Sequence, residues 1–255
     1  MSDIQIFNED CLTGMKRIPN GTVDMVLCDL PYGTTNCSWD AVIPFEPLWE
    51  QYSRVLKTNG ALALMAAQPF ATDLINSARK RFRYDLVWEK TAPVGFANAK
   101  RMPLRSHELI LLFYRKQPTY NPQGLVKLAT PIRKGGPGKG GGVYHDMNKE
   151  YLQEYTNYPR SILRFPFRGR RQHPTQKPVE LFEYLVRTYT NPGELVLDNC
   201  MGSGTTAIAC INSDRRFIGF ETETRYFDVA RRRIESTVSQ LRITVSAPEE
   251  GEQDV

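Results

Sequence analysis

Apolar and polar positions along this chain alternate between two periods, and each change of period marks an element. Ile4 to Phe7 reads as a short strand, and after the polar stretch Asn8 to Cys11 the spacing from Leu12 to Ile18 predicts a short helix. A turn at Pro19-Asn20-Gly21 leads into Val23 to Cys28, whose apolar run Met25 to Cys28 predicts a buried strand. Phe45, Leu48, Trp49, Tyr52, Val55 and Leu56 then recur at helical spacing, Asn59-Gly60 closes that helix, and Ala61 to Ala66 is the next buried strand. Pro69 to Arg81 predicts a helix, Tyr84 to Trp88 a strand and Leu109 to Tyr114 another strand. Strand, helix, strand, helix, strand is the order of a parallel sheet covered by helices.

Periodicity fails between residues 116 and 172. This stretch holds Gly135-Gly136-Pro137-Gly138-Lys139-Gly140-Gly141-Gly142, too glycine-rich for a core and expected to be mobile when unbound. It is not a phosphate loop, because Lys139 is followed by glycine instead of serine or threonine. A long irregular stretch inside a domain is a binding element or a linker, and the tyrosines, phenylalanines and arginines between Tyr144 and Arg171 favour binding. Regular order returns with the helix Val179 to Tyr189, the strand Leu195 to Leu197, the helix Thr205 to Asn212, the strand Arg216 to Phe220 ending on Glu221, and the helix Tyr226 to Gln240. The acidic tail from Ala247 is expected to be disordered.

Composition narrows the classes. No run approaches the ~18 to 20 apolar residues of a membrane span, and Met1 to Asp10 lacks the basic-then-apolar order of a signal peptide. The five cysteines form no Cys-x-x-Cys pair and the three histidines are scattered, so a reduced, cytoplasmic protein without a metal site is expected. Net charge is +5, but Lys80 to Lys177 carries 20 basic against 6 acidic residues while the flanks carry 13 against 22. A basic middle between acidic ends points to a polyanion, nucleic acid before others, with a merely solvated basic face as the plain alternative.

Two strand ends carry the candidate chemistry. The first strand exits into Asp29-Leu30-Pro31-Tyr32, where a carboxylate could accept hydrogen bonds from an amino group and a ring could lie on a heterocycle. The second exits into Asp198-Asn199-Cys200-Met201-Gly202-Ser203-Gly204-Thr205-Thr206, and the following strand ends on Glu221. That is how an α/β sheet holds an adenosine cofactor, the glycines admitting the ligand and the second acid holding ribose hydroxyls. Acids at both points suit a ribose and a cationic amino acid moiety, so S-adenosyl-L-methionine fits first and NAD second.

Asp29-Leu30-Pro31-Tyr32, then His173-Pro174-Thr175-Gln176-Lys177-Pro178, then Asp198 to Thr206, in this order, resemble the DNA amino-methyltransferases of the β motif order. The likeness runs from about Ile4 to Gln240. It implies a Rossmann-like, doubly wound α/β sheet: a catalytic half (1–99), a target-recognition insertion (100–172) and a cofactor half (173–246), followed by the tail (247–255). It also implies that Asp29 and a backbone carbonyl near Leu30 or Pro31 accept hydrogen bonds from an exocyclic amine while Tyr32 stacks on the base. Asp29, Asp10, Cys11, Thr175, Lys177, Asp198, Gly202, Ser203, Gly204, Thr205 and Thr206 would border S-adenosyl-L-methionine, and Glu221 would hold its ribose. Lys100, Arg101, Arg105, Lys134, Lys139, Arg168, Arg170 and Arg171 are the candidate contacts to double-stranded DNA. Adenine N6 is the first target and cytosine N4 the second. A nucleic-acid-binding homologue without catalysis and an RNA or protein-amide substrate are the other readings. A homodimer and a cognate restriction endonuclease are the protein partners such a likeness allows.

Two positions depart from the family pattern. Leu30 stands where a proline is usual, which predicts a looser catalytic loop, and Asn199-Cys200 stands where Pro-Phe is frequent, which removes an aromatic wall beside the cofactor.

Overall fold

The computed structural model describes residues 3–34, 37, 40–135, 150–167 and 176–245, with side chains to residue 240. It divides into a unit made of Met1–Tyr120 with Ser161–Val255 and a small unit, Asn121–Arg160.

In the first unit, β1 (Ile4–Phe7), α1 (Cys11–Gly14), β2 (Val23–Asp29), α2 (Phe45–Val55), β3 (Leu56–Ala66), α3 (Phe70–Ser77), β4 (Phe82–Val94) and β5 (Arg105–Phe113) follow one another. Several elements depart from the periodic sequence at their ends. α2 stops at Val55 and β3 begins at Leu56, so Asn59-Gly60 lies inside a strand and does not close the helix. β5 begins at Arg105 instead of Leu109, β4 is far longer than Tyr84 to Trp88, and α3 stops at Ser77, short of Arg81, where the chain turns back through Arg81 N–H to Ala78 C=O (2.8 Å). The small unit holds β6 (Val126–Lys134) and β7 (Tyr151–Thr156), and the first unit resumes with β8 (Ile162–Arg164), α4 (Val179–Tyr189), β9 (Leu195–Asp198), α5 (Thr205–Asn212), β10 (Arg216–Phe220) and α6 (Thr224–Val245). The fold is α/β, with sheet order β1-β10-β9-β2-β3-β5-β4-β8, parallel except where β5 runs antiparallel to β3 and β4.

Strand alternation feeds two cores. On β2, Val26 and Cys28 face α1, α2 and α3, while Met25 and Leu27 face α4 and α5. All four are buried, which is why the run reads as continuously apolar. Asp24 pins the other end of this centre: its Oδ1 accepts from Lys57 Nζ (2.6 Å) and its Oδ2 from Leu195 N–H (3.0 Å), joining β2, β3 and β9. From β2 the chain proceeds toward β3, and from β9 toward β10 on the opposite side, so β2 and β9 flank the switch point where open α/β sheets hold ligands.

The small unit is an antiparallel two-stranded ribbon within the residues that sequence periodicity left irregular. It is narrower than residues 100–172, since Arg105–Phe113 and Ile162–Arg164 are strands of the main sheet. The glycine-rich residues 136–142 and the tail from Ala247 lie outside the described residues. Among the described residues no helix is long and apolar enough to cross a membrane, and no group of three or more His, Cys, Asp or Glu is placed to hold a metal.

Candidate active site

A cavity of about 580 Å³ opens where β2 and β9 end, with Asp29 and Asp198 both in its wall. The two acidic strand ends singled out in the sequence therefore share one space.

Asp29 sits in a chain of buried charges. Its Oδ2 accepts from Lys177 Nζ at 2.6 Å, and its Oδ1 accepts from the Tyr32 hydroxyl at 2.8 Å. Lys177 also reaches Glu108 Oε2 at 3.1 Å, off the angle of a hydrogen bond, and Glu108 in turn pairs with Lys90. Two carboxylates thus alternate with two ammonium groups, which is how charge is tolerated out of water. Burial pushes the Asp29 carboxyl above its ordinary range, Lys177 draws it back and Glu108 pushes it further up. Burial also opposes the charges of Glu108 and Lys177, but their partners win: Glu108 is lowered by Lys177 and Lys90, and Lys177 is raised by Asp29 and Glu108.

The loop after Asp29 is held by a residue that no sequence pattern marks. The buried Asp40 carboxylate accepts three backbone N–H groups, from Tyr32 (2.8 Å), Gly33 (3.0 Å) and Thr34 (2.9 Å). Such a triple acceptor fixes the loop through hydrogen bonds to a charged group, each worth about 1.5 to 3 kcal/mol. Leu30 is itself buried in the core, and the Tyr32 ring stacks on Phe70 with centroids 5.3 Å apart. The rigidity expected to be lost with the proline is thus supplied from Asp40 and from packing.

At the β9 end, Asp198 Oδ1 accepts from Cys200 N–H (3.0 Å) and Oδ2 from the Thr206 hydroxyl. Burial pushes Asp198 up to about 7 in spite of these two donors. Glu221 Oε2 accepts from Gly202 N–H and Oε1 from Glu223 N–H, both at 2.9 Å, so the glycine turn and the end of β10 are locked together. Gly204 has φ +78°, and a Cβ there would meet Ala230 Cβ on α6 at 3.0 Å, so the turn needs glycine for its backbone and for helix approach. Asn199 is fully used: it accepts from the Tyr52 hydroxyl at 2.6 Å and donates toward the sulfurs of Cys11 and Cys200. The position expected to lack an aromatic wall is instead a polar anchor to α2. Asp10 caps α1 by accepting from Thr13 N–H (2.9 Å), and Cys11 behind it is buried.

Of the residues singled out in the sequence, the cavity brings together Asp10, Cys11, Asp29 to Tyr32, Lys177, Asp198, Gly202, Ser203, Thr205, Thr206 and Glu221. Gly204 stands behind that wall, against Ala230. Arg105 is part of the cavity lining, whereas Lys100 and Arg101 are exposed residues outside that lining; Lys134, on the small unit, is exposed. Thr175, Lys139, Arg168, Arg170 and Arg171 lie outside the described residues. Sequence reasoning missed Asp40, Lys90 and Glu108; only Glu108 left a signal, as a carboxylate opening the apolar run Leu109 to Phe113.

With this geometry in place, comparison with known proteins decides the family: the family model of N6/N4 DNA methylases matches residues 23–232. The chain belongs to the N6/N4 DNA methylase family. This DNA methylase is 29% identical over 254 residues to the DNA adenine methyltransferase YhdJ of Escherichia coli K12, covering 90% of this chain and 82% of that protein. It is 25% identical over 250 residues to the type II methyltransferase M.HpaI of Haemophilus parainfluenzae, covering 92% and 75%. Among solved structures, the M1.HpyAVI–SAM complex superposes on it with TM-score 0.62 at 25% identity, covering 90% of this chain and 99% of that one.

Proposed function

We propose that this DNA methylase transfers a methyl group from S-adenosyl-L-methionine to the exocyclic N6 amine of adenine within a specific duplex DNA sequence. The observation that carries the reading is the shared cavity, with an acceptor carboxylate at the end of β2 facing an acid-and-glycine turn at the end of β9.

The donor set fits the cofactor. Asp10, Asp198, Glu221 and Glu223 make the β9 end of the cavity acidic, which suits hydroxyls and a cation and disfavours a row of phosphates. Glu221 keeps acceptor capacity beyond its two backbone N–H partners and would hold the ribose, while Asp198 and the turn Gly202 to Thr206 would shape the methionine pocket. Lys177 would border it next to Asp29. When bound, the cofactor supplies an electrophilic sulfonium methyl group.

An exocyclic amine is a weak nucleophile because its lone pair is conjugated with the ring. An acceptor at each N–H lets the nitrogen pyramidalise, so positioning and electrostatics supply the rate. Asp29 Oδ1 and Oδ2 each hold one donor and retain a further lone pair, so the carboxylate can accept from the amine without leaving Tyr32 or Lys177. The same carboxylate is in reach of the proton that the nitrogen sheds after transfer. In a stacked duplex the amine cannot reach Asp29, so the base turns out of the helix at a cost of a few kcal/mol. Stacking against the cavity wall and phosphate contacts from Lys100, Arg101, Arg105 and Lys134 offset that cost. Among the relatives, YhdJ is named as an adenine methyltransferase, and adenine is the target we assign here.

The test is nucleoside mass spectrometry of DNA from cells expressing the protein, with modified positions sequenced. N6-methyladenine in one sequence context is expected; N4-methylcytosine alone would move the target to cytosine, and unmodified DNA would overturn the reading.

A further inference from the structure

Between β4 and β5 the chain leaves the sheet in a loop whose features the site has not used. The strands pair up to Val94 opposite Arg105, after a break in register from Glu89 opposite His107, and both Val94 and Arg105 line the cavity mouth. The loop therefore starts and ends on the rim of the space that holds Asp29. Immediately beyond the rim stands Phe96, 77% exposed, with Met102 58% exposed on the same loop. An aromatic side chain of that size left in water forgoes the hydrophobic gain that burial in a partner would return.

The loop is built, not slack. Gly95 turns the backbone at φ +94°, and a 3₁₀ turn over Phe96–Asn98 follows. Asn98 C=O accepts from the N–H groups of Arg101 (2.8 Å) and Met102 (3.0 Å). A preformed tip loses little entropy when it is inserted into a partner. Its charge also selects the partner, since from Lys90 to His107 the sequence carries four cations and no acidic residue. Lys100, Arg101 and Arg105, which follow the apolar tip along the same stretch of chain, are exposed. An exposed apolar tip on a loop that carries exposed cations fits a duplex, whose phosphates meet the cations while an apolar side chain enters between base steps.

We propose that Phe96 is the wedge that enters the duplex at the target base pair as the target base turns out toward Asp29, with the cations of the same loop gripping the flanking phosphates. This rests on the DNA-methylation reading above and adds to it the group that fills the stack.

The test uses the full chain and two synthetic duplexes carrying the methylated sequence, one with the target base paired and one with an abasic site opposite it. A wedge matters most where a pair must be broken and least where the pairing is already gone. In single-turnover methyl transfer, Phe96→Ala is expected to lose about tenfold or more on the paired duplex and to come within about twofold of the unaltered protein on the abasic one, while Phe96→Trp keeps most of the rate on both. Equal loss on both duplexes, or no loss on the paired one, overturns the wedge while leaving the methylation reading standing. Absence of transfer by the unaltered protein on the paired duplex would overturn both.

Discussion

Lys177 Nζ lies 2.6 Å from Asp29 Oδ2, with only 6% of the lysine side chain exposed, so the carboxylate at the end of β2 is held by a cation that water hardly reaches. Lys177→Met would leave Asp29 and Glu108 as buried carboxylates facing each other across a neutral side chain. Breaking one partner of a buried pair costs about 3 to 5 kcal/mol, so a large fall in thermal unfolding temperature is expected together with loss of turnover. Adding Glu108→Gln to that variant should recover part of the stability and none of the activity. Unfolding curves for the three proteins check this.

Glu108 and Lys90 should tune Asp29 in opposite directions. In the proposed mechanism Asp29 accepts from the amine as an ionised carboxylate, and the groups that act on it are Lys177, Tyr32 and Glu108, with Asp198 nearby and Lys90 acting through Glu108. Removing the Glu108 charge lowers the Asp29 pKa, so Glu108→Gln moves the acid limb of the pH–rate profile to lower pH. Removing the positive charge with Lys90→Met moves it to higher pH. A role in packing alone would leave both limbs in place.

The Asp198 shift has a stability consequence with a defined sign. Its folded pKa is about 7 against an ordinary 3.8, so the native state binds the extra proton between those values and loses stability as pH rises through that window. Asp198→Asn removes the titration. Relative to the unaltered protein it should gain on the order of a few kcal/mol between pH 4 and pH 8 in denaturant unfolding, while binding cofactor less well.

Gly204 combines a backbone and a packing requirement that can be separated. Gly204→Ala places a Cβ at φ +78° and 3.0 Å from Ala230 Cβ, and should destabilise by about 1 to 3 kcal/mol. Ala230→Gly in the same chain relieves the packing share and not the backbone share, so thermal unfolding of the double variant should recover only partly.

Asp40 acts through the loop it binds. Asp40→Ala should lower kcat by an order of magnitude or more with little change in KM for S-adenosyl-L-methionine, because the amine acceptor loses its fixed position while the β9 end stays intact. Asp40→Asn, which keeps one carbonyl acceptor, should restore most of the rate.

The centre of the fold was legible because β2, β9 and the second half of β3, Gly60 to Ala66, are buried on both faces and their apolar runs are short and continuous, whereas the first half of β3 is polar and partly exposed and reads as a helix end. The ends of α3 and β4 were not, because Ala78 to Arg81 is a polar turn without glycine or proline and the outer half of β4 is exposed on both faces. The ribbon β6–β7 hid for a related reason: nearly every residue of β6 is exposed, so nothing alternates, and Pro131 falls where its pairing slips. In the site, the residues at strand ends were legible from their neighbours in sequence. Glu108, Lys90 and Asp40 act on Asp29 and its loop only through contacts made in space, which sequence spacing does not encode.

The hydrogen bond from Leu195 N–H to Asp24 joins residues 171 positions apart, and the cavity lies at the far ends of the two strands it helps to align. The cavity therefore forms only when strands distant in sequence pair, and such non-local pairing slows folding relative to local structure. In a refolding experiment, methyl transfer should return last, after helix content and after most of the apolar surface is covered, which makes activity itself the reporter that the sheet has closed.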